Sequence, residues 1–369
     1  MTRLRLFIAV LAAALLAATV PAPTQAAGTG CVDVGRYTVC RTDPRGVGKD
    51  ASIVREIAAE IDRARSGDTV RAAVYQWSLR RGVRPVADAM VRAERRGVDV
   101  KVVLGTAGFD PDLNDPVKRL FKREGIAVEQ CRAACLPNPH GERKGPDHNR
   151  FFLVERDGRP TVITTSFSFT PFHLTQGHNL LAVRGDRGLY DYYSSYWQRL
   201  YQGSWKGWNE KDKAGSGDHR TRVWLFPRLA DPVAAQLRHI TGCDAGDRVW
   251  VAHANFQPNR PEVREQLRRV QRLGCQVRTV VLDKDSNDPG WIERATGPGS
   301  VRVHGDHRNK FLLVQAEFNG ANRNLVWTGT HNLSGNSLKN ADDNLLRAGG
   351  GAVVGVYADY FMKLWRGAR

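Results

Sequence analysis

The sequence predicts an α/β protein built from two similar units. Two observations carry that reading. The first is an internal repeat. Asp147-His148-Asn149-Arg150-Phe151-Phe152-Leu153-Val154 steps from polar and basic residues into an apolar strand. About 160 residues further on, Arg308-Asn309-Lys310-Phe311-Leu312-Leu313-Val314 does the same. Each copy is followed by a turn of small residues, Thr165-Ser166-Phe167-Ser168 and Gly329-Thr330-His331-Asn332. The second observation is that the echo extends outward. Arg71 to Gln76 answers Val249 to Ala254, and the helical pattern Val86–Gly97 with strand Val98–Leu104 answers Val263–Gly274 with Cys275–Leu282. A repeat this long is not a solenoid; it is two domains' worth of chain, and a site built from both halves can lie at their interface.

The elements follow in order. Arg3 and Arg5, the apolar run Leu6–Val20 and the small residues up to Ala26 read as a secretory signal peptide, residues 1–26. A secreted, extracellular protein is therefore expected. Cleavage removes two arginines and no acid, taking the formal charge from +17 to +15. Residues 27–46 read as a disulfide hairpin, with Cys31 and Cys40 bracketing a turn at Gly35. Residues 47–207 form the first unit: helix 51–65, strand 70–76, helix 85–96, strand 98–104, a Pro/Asp-rich loop 107–120, strand 126–130, strands 150–155 and 161–166, and an aromatic helix 186–202. The Lys/Asp/Gly/Ser-rich stretch 208–219 reads as a linker. Residues 220–369 repeat the series and end in helix 353–365. Alternating strands and helices predict a mostly parallel sheet with helices on both faces.

The six cysteines all follow the apolar leader, and an even count in a secreted chain favours disulfides. Sequence neighbours suggest Cys31–Cys40, Cys131–Cys135 and Cys243–Cys275. Cys131–Cys135 also has the look of a zinc half-site, but no second ligand pair accompanies it.

Fifty-five Lys and Arg against thirty-eight Asp and Glu predict attraction to polyanions, whether nucleic acid or an anionic surface. The basic clusters are not interleaved with aromatics, so charge names a class of partner and no more.

The chemistry lies at the repeat. Residues two apart on a strand share a face, so His148 and Arg150 point one way and Asn149 the other. A histidine beside a fixed cation can bind a phosphate and attack it. Arg150 neutralises phosphate oxygens, and Lys310, with Thr330 and Asn332, offers similar equipment from the second unit. Such a set suits phosphoryl transfer, where positioning and charge neutralisation dominate. No carboxylate cluster for Mg²⁺ is evident in the sequence, and this chemistry needs none; no metal and no cofactor are expected.

On these residues the chain resembles the phospholipase D superfamily, particularly its secreted actinobacterial members, over about residues 47–367. The family pattern is His-x-Lys-x4-Asp followed by Gly-Ser-x-Asn, once per unit. The matching positions are His148, Arg150 and Glu155, then Thr165, Ser166 and Ser168; and Arg308, Lys310 and Gln315, then Gly329, Thr330 and Asn332. The stretch Asn340 to Leu346 also looks like the family. The resemblance implies two α/β/α sandwich units with pseudo-twofold symmetry and one active site at their interface. One histidine forms a phosphoenzyme and the other acts as general acid.

The second copy departs from the pattern, with Arg308 where the family has histidine. His307 lies one residue early, where an unbroken strand aims it away from Lys310; a β-bulge at Arg308-Asn309 restores it, and His304 is a more distant substitute. The catalytic expectation is His148, Arg150, His307 and Lys310. The substrate-binding expectation is Glu155, Ser166, Ser168, Arg308, Thr330 and Asn332. A monomer acting on a phosphodiester, phospholipid or nucleic acid, is expected. The alternative is a degenerate member that binds polyanions without cleaving them.

Overall fold

A computed structural model describes residues 30–43, 49–106, 110, 112–204, 213–215 and 220–369. The expected signal peptide and most of the expected linker lie outside these residues. The first half contains β1 (Gly30–Val34), β2 (Tyr37–Arg41), α1 (Ser52–Asp62), β3 (Thr69–Val74), α2 (Pro85–Arg95), β4 (Asp99–Leu104), α3 (Asp115–Arg123), β5 (Ala127–Gln130), β6 (Arg150–Arg156), β7 (Arg159–Thr165), β8 (Asn179–Arg184) and α4 (Arg187–Gln202). The second contains β9 (Lys213–Ala214), β10 (Arg222–Leu225), α5 (Pro232–Arg238), β11 (Ile240–Gly242), β12 (Arg248–His253), α6 (Pro261–Arg272), β13 (Gln276–Leu282), α7 (Pro289–Thr296), β14 (Val301–His304), β15 (Lys310–Phe318), β16 (Asn322–Gly329), α8 (Gly335–Lys339), β17 (Asn344–Gly349) and α9 (Gly351–Gly367).

The two sheets have the same strand order. One runs β5-β4-β3-β6-β7-β8-β2-β1 and the other β14-β13-β12-β15-β16-β17-β10-β9, with β11 added beside β15. The sheets are mixed, not mostly parallel: β3–β4–β5 and β12–β13–β14 are parallel, and the remaining pairs are antiparallel. The reason is the tight turn at Asp157-Gly158, which sends β7 straight back along β6 instead of through a crossover helix. The hairpin β1–β2 and the linker strand β9 are not appendages. β2 pairs with β8, and β10 pairs with both β17 and β9, so they complete equivalent sheet edges.

Period-2 alternation sorts the strand residues into layers. On β6, Phe151 and Leu153 face a central core shared by both sheets; Phe152 and Val154 face the outer core of α1, α2 and α3. On β15, Phe311 and Leu313 face the same central core, and Leu312 and Val314 face α5, α6 and α7. The central layer is filled by α4 and α9 through Tyr193, Tyr196, Trp197, Tyr357, Tyr360 and Phe361. This is two α/β/α sandwiches joined by their inner helices.

Residues 107–120 were expected as loop, but Asp115–Arg123 is helix α3. Pro116 sits in its first turn, where a missing N–H costs nothing, and Val117, Leu120 and Phe121 are buried on one face. The three disulfides join Cys31–Cys40, Cys131–Cys135 and Cys243–Cys275, as the sequence suggested. No helix among the described residues is long and apolar enough to cross a membrane.

Candidate active site

The two units clasp each other at the entrances to β6 and β15. Asp147 bridges to Asp342 across the interface, and His307 bridges to Gly177. The His148 N–H donates to the Asp342 carbonyl at 2.9 Å, and the Arg308 N–H donates to the Gly177 carbonyl at 2.7 Å. Behind these contacts the symmetry continues. Asn149 Nδ2 donates to the Tyr196 hydroxyl of α4 and Asn309 Nδ2 to the Tyr360 hydroxyl of α9. Asn344 joins Thr164 and Asn149, while Asn179 joins Thr328 and the Lys310 N–H. Gly329 lets this turn close: a Cβ there would lie 2.3 Å from the Asn344 carbonyl.

His148 and Arg150 share one side and Asn149 faces the interior, as period-2 alternation requires. His148 Nδ1 lies 2.8 Å from Asp343 Oδ1. The His148 side chain keeps 14% exposure, while Asp343 has none. Burial and then Arg150 depress His148 to about 4, against the pull of Asp343. Burial pushes Asp343 up, but His148, His331 and the Thr330 hydroxyl outweigh it, and the carboxyl falls to about 2. Near neutral pH the pair is a carboxylate and a neutral imidazole. The carboxylate fixes the proton on Nδ1 and leaves the Nε2 lone pair available.

Cations surround this dyad. Arg150 Nε donates to Ser168 Oγ at 2.8 Å, its Nη1 donates to the His148 carbonyl at 2.9 Å, and its guanidinium lies over Tyr75. Burial lowers Arg150 to about 10. Burial and Arg150 lower the Lys310 ammonium well below its ordinary value, with Arg308 adding to the effect. Among the described residues no carboxylate forms an ion pair with Arg150 or Lys310. An anion entering here relieves repulsion among cations that are already buried.

The structure therefore brings His148, Arg150, Lys310 and Arg308 to one place, with Ser168 behind Arg150. Arg308 is half-buried; its Nε donates to Gln176 Oε1 at 3.0 Å and its guanidinium lies over Phe172. Ser166 and Thr330 are in a second layer. Both are buried, and they bond to Asn179 and Asn344 and to the residues before them, His178 and Asp343. Asn332 Oδ1 is buried without a hydrogen-bond partner among the described residues.

Two expected residues lie elsewhere. Glu155 is five residues along β6 from Arg150, roughly 17 Å at about 3.3 Å per residue, and is ion-paired to Arg187 at the start of α4. It anchors a helix. His307 is fully buried, near His304 and the Val281 carbonyl of β13. The Ala254 N–H donates to the Asn309 carbonyl as the Tyr75 N–H does to Asn149, and His307 pairs with Gly177 as Asp147 pairs with Asp342, so the register continues past Lys310 and His307 takes the place of Asp147. His304 is buried at the end of β14, its Nδ1 accepting from the Asp306 N–H.

Four residues beside the cleft were not among the expected ones: Asp343, His331, His178 and His173. His331 stacks on Phe226 and lies 3.0 Å from Arg260, behind Asp343. His178 occupies, in the first unit, the place of Asp343 in the second. A legible signal existed, since Gly177-His178-Asn179-Leu180-Leu181 matches Asp342-Asp343-Asn344-Leu345-Leu346.

Asp147 and Asp342 lie buried within 4.8 Å of each other and of Cys135 Sγ. That sulfur is in a disulfide and not available as a thiolate. Asn149 donates to Asp147, and the Cys135 and Leu136 N–H groups donate to Asp342. The group is two buried carboxyls, each held by its own N–H donors, beside a disulfide sulfur.

The family model described as "Cardiolipin synthase, PLD-like domain" matches residues 57–201. Over these residues the chain is similar to the phospholipase D superfamily. Its fold is similar to that of phosphatidylserine synthase from Haemophilus influenzae Rd KW20, with a TM-score of 0.58 and 10% identity over 93% of this chain and 89% of that one. It is also similar to polyphosphate kinase from Porphyromonas gingivalis, with a TM-score of 0.57 and 12% identity over 89% of this chain. That alignment takes in 47% of the kinase, so the chain spans about half its length. The phospholipase D family member Nuc from Salmonella typhimurium aligns with 45% of this chain and 94% of its own, at 21% identity and a TM-score of 0.36. No curated protein matches the sequence. In phospholipase D terms, the first unit retains its histidine and the second carries arginine in that position.

Proposed function

We propose that the chain is a secreted phosphodiesterase that hydrolyses phosphodiester bonds through a phosphohistidine on His148. One observation carries this: a neutral His148, held by Asp343, opens into a place where Arg150 and Lys310 converge without carboxylate partners. His148 Nε2 attacks phosphorus, Arg150 and Lys310 neutralise the non-bridging oxygens, and Asp343 stabilises the imidazolium character that develops. Water then attacks the phosphohistidine. No step calls on a metal ion. The names of the similar proteins, cardiolipin synthase, phosphatidylserine synthase and polyphosphate kinase, all denote work on phosphate compounds. Secretion is supported by the N-terminal leader pattern and by six cysteines that all pair. The positive charge fits either substrate class expected here, phospholipid at an anionic surface or nucleic acid.

The test is turnover of bis(p-nitrophenyl) phosphate, a short-chain phosphatidylcholine and an oligonucleotide, with and without chelator. Turnover unaffected by chelator, and lost in His148→Ala, is expected. A specific observation favours the second reading, a polyanion-binding protein without turnover: Arg308 stands where the family has a histidine. Tight binding of anionic vesicles or oligonucleotide with no cleavage of any diester establishes that reading instead.

A further inference from the structure

Phosphodiester cleavage by His148 leaves one role unfilled. Departure of an alkoxide needs a proton, and Arg308, in the family histidine's place, remains protonated. Several histidines lie close enough for their charges to act on one another or on the cleft cations: His148, His173, His178, His253, His307 and His331. Of these, His178, His253, His307 and His331 are buried, and only His148 and His173 keep partial exposure.

His173 sits in the 3₁₀ turn Pro171–Thr175, beside the exposed Phe172 over which Arg308 lies. Its Nδ1 is 3.1 Å from His178 Nε2, and His178 Nδ1 is 3.0 Å from Ser166 Oγ. Ser166 Oγ also accepts the Asn179 N–H at 3.2 Å. The chain of bonds runs from an interior hydroxyl through one ring to the next and ends at the His173 Nε2 edge, which is turned away from His178. The charges acting on that ring are those of Arg150, Arg308, Lys310 and His148, the residues of the cleft.

We propose that His173 is the proton donor to the leaving oxygen, held in place by His178 and Ser166. The inference rests on the phosphodiesterase reading above. In the donating form His173 Nδ1–H donates to His178 Nε2, and His178 Nδ1–H donates to Ser166 Oγ. As the His148 Nε2–P bond forms and the P–O bond breaks, the leaving oxygen takes the His173 Nε2 proton. In the second half a water oxygen attacks phosphorus, its proton passes to His173 Nε2, and the P–N bond breaks with its electron pair returning to His148. A phosphomonoester and an alcohol leave, and both histidines are restored. The ring is disfavoured as a cation by burial and by its basic neighbours in the free protein. A bound diester places a negative charge among those neighbours and favours protonation when it is needed.

A general acid matters in proportion to the basicity of the leaving group, and this gives the test. His173→Asn is compared with the wild type on bis(p-nitrophenyl) phosphate, whose leaving group needs little help. The second substrate is whichever alkyl diester the wild type cleaves faster, a dinucleotide or a short-chain phosphatidylcholine. Alkyl turnover is expected to fall about 10²–10⁴-fold, and aryl turnover less than about tenfold. His173→Gln and matched melting temperatures guard against a folding defect. Equal losses on both substrates, or no loss, overturn the assignment while His148→Ala still abolishes turnover and leaves the function intact. A wild type that cleaves the aryl diester but no alkyl diester also overturns it. A wild type that cleaves neither removes the function and the inference together.

Discussion

The two halves share a scaffold and differ in chemistry. In the first, a strand entrance presents His148 to a carboxylate, Asp343, donated by the second half. In the second, the equivalent entrance binds the Arg308 N–H to the Gly177 carbonyl of the first, with His178 the next residue along. Three pairs of buried polar groups behind the two entrances are duplicated: Asn149 and Asn309, Tyr196 and Tyr360, Asn344 and Asn179. Loops that reach from two β-strand ends are likewise pinned twice, by Asn114 on Tyr75, Trp77 and Gly105 and by Asn287 on Ala254, Phe256 and Leu282. Symmetry is kept in the Asn and Tyr groups that bond across the interior, and lost at His148 and Arg308 and at the residues beside them, Asp147 and His307. The difference teaches that a duplicated fold can keep its backbone register while one entrance presents a histidine and the other an arginine.

That comparison can be broken most severely at His148. His148→Ala should remove turnover to background, since no other first-motif residue can form the phosphoenzyme. The acid limb of kcat/KM for the wild type should lie near pH 4, not 6.5, because the nucleophile must be neutral and burial with Arg150 keeps it so; a pH profile measures both. Next in size is Asp343→Asn, expected to lower kcat on the order of 10³–10⁴-fold, because an amide no longer fixes the proton on Nδ1. Its fold should persist by circular dichroism. The double change Arg308→His with His178→Asp builds in the second half what the first half already has. It should recover at least about tenfold of the alkyl-diester turnover lost in His173→Asn, and a triple variant no better than His173→Asn alone contradicts the equivalence of the two entrances.

His307 separates position in sequence from position in space. His307→Ala should cost roughly 1–3 kcal/mol of stability by emptying a buried site, with kcat within about threefold of wild type, read from denaturation and turnover on the same sample. The smallest effect is at Asp147. Burial raises this carboxyl to about 7. The folded state therefore holds a proton that the unfolded chain releases near 4, so the stability this group contributes is present below about pH 4 and is lost as pH rises through about 7. Asp147→Asn should raise Tm by about 2–4 °C at pH 8 and by less at pH 5; the reverse order contradicts a raised Asp147 carboxyl.

Much of the fold was legible because the cues were local. The step from Arg150 or Lys310 into Phe-Phe-Leu-Val and Phe-Leu-Leu-Val marks both central strands, and Gly35 marks the first hairpin. Helix α3 was not legible because the two prolines and three aspartates of 107–120 read as loop, although Val117, Leu120 and Phe121 have helical spacing. The antiparallel return at Asp157-Gly158 lies in the short gap between the expected strands 150–155 and 161–166, too short for a crossover helix. In the site, His148, Arg150 and Lys310 were legible from the repeat. The roles of Asp343 and His178 were not, because each acts in the opposite half of the molecule from its own chain neighbours. Ser166 and Thr330 were expected at phosphate, but the strand register turns their hydroxyls inward to Asn179 and Asn344.

The central claim is a covalent phosphate on the first half's histidine. It is tested most directly by mixing the protein with bis(p-nitrophenyl) phosphate, quenching in alkali within the first turnover and mapping the peptides by mass spectrometry. An alkali-stable, acid-labile phosphoryl adduct is expected on the peptide carrying His148, absent in His148→Ala. An active protein that shows no adduct at any time, or an adduct on another residue, contradicts it.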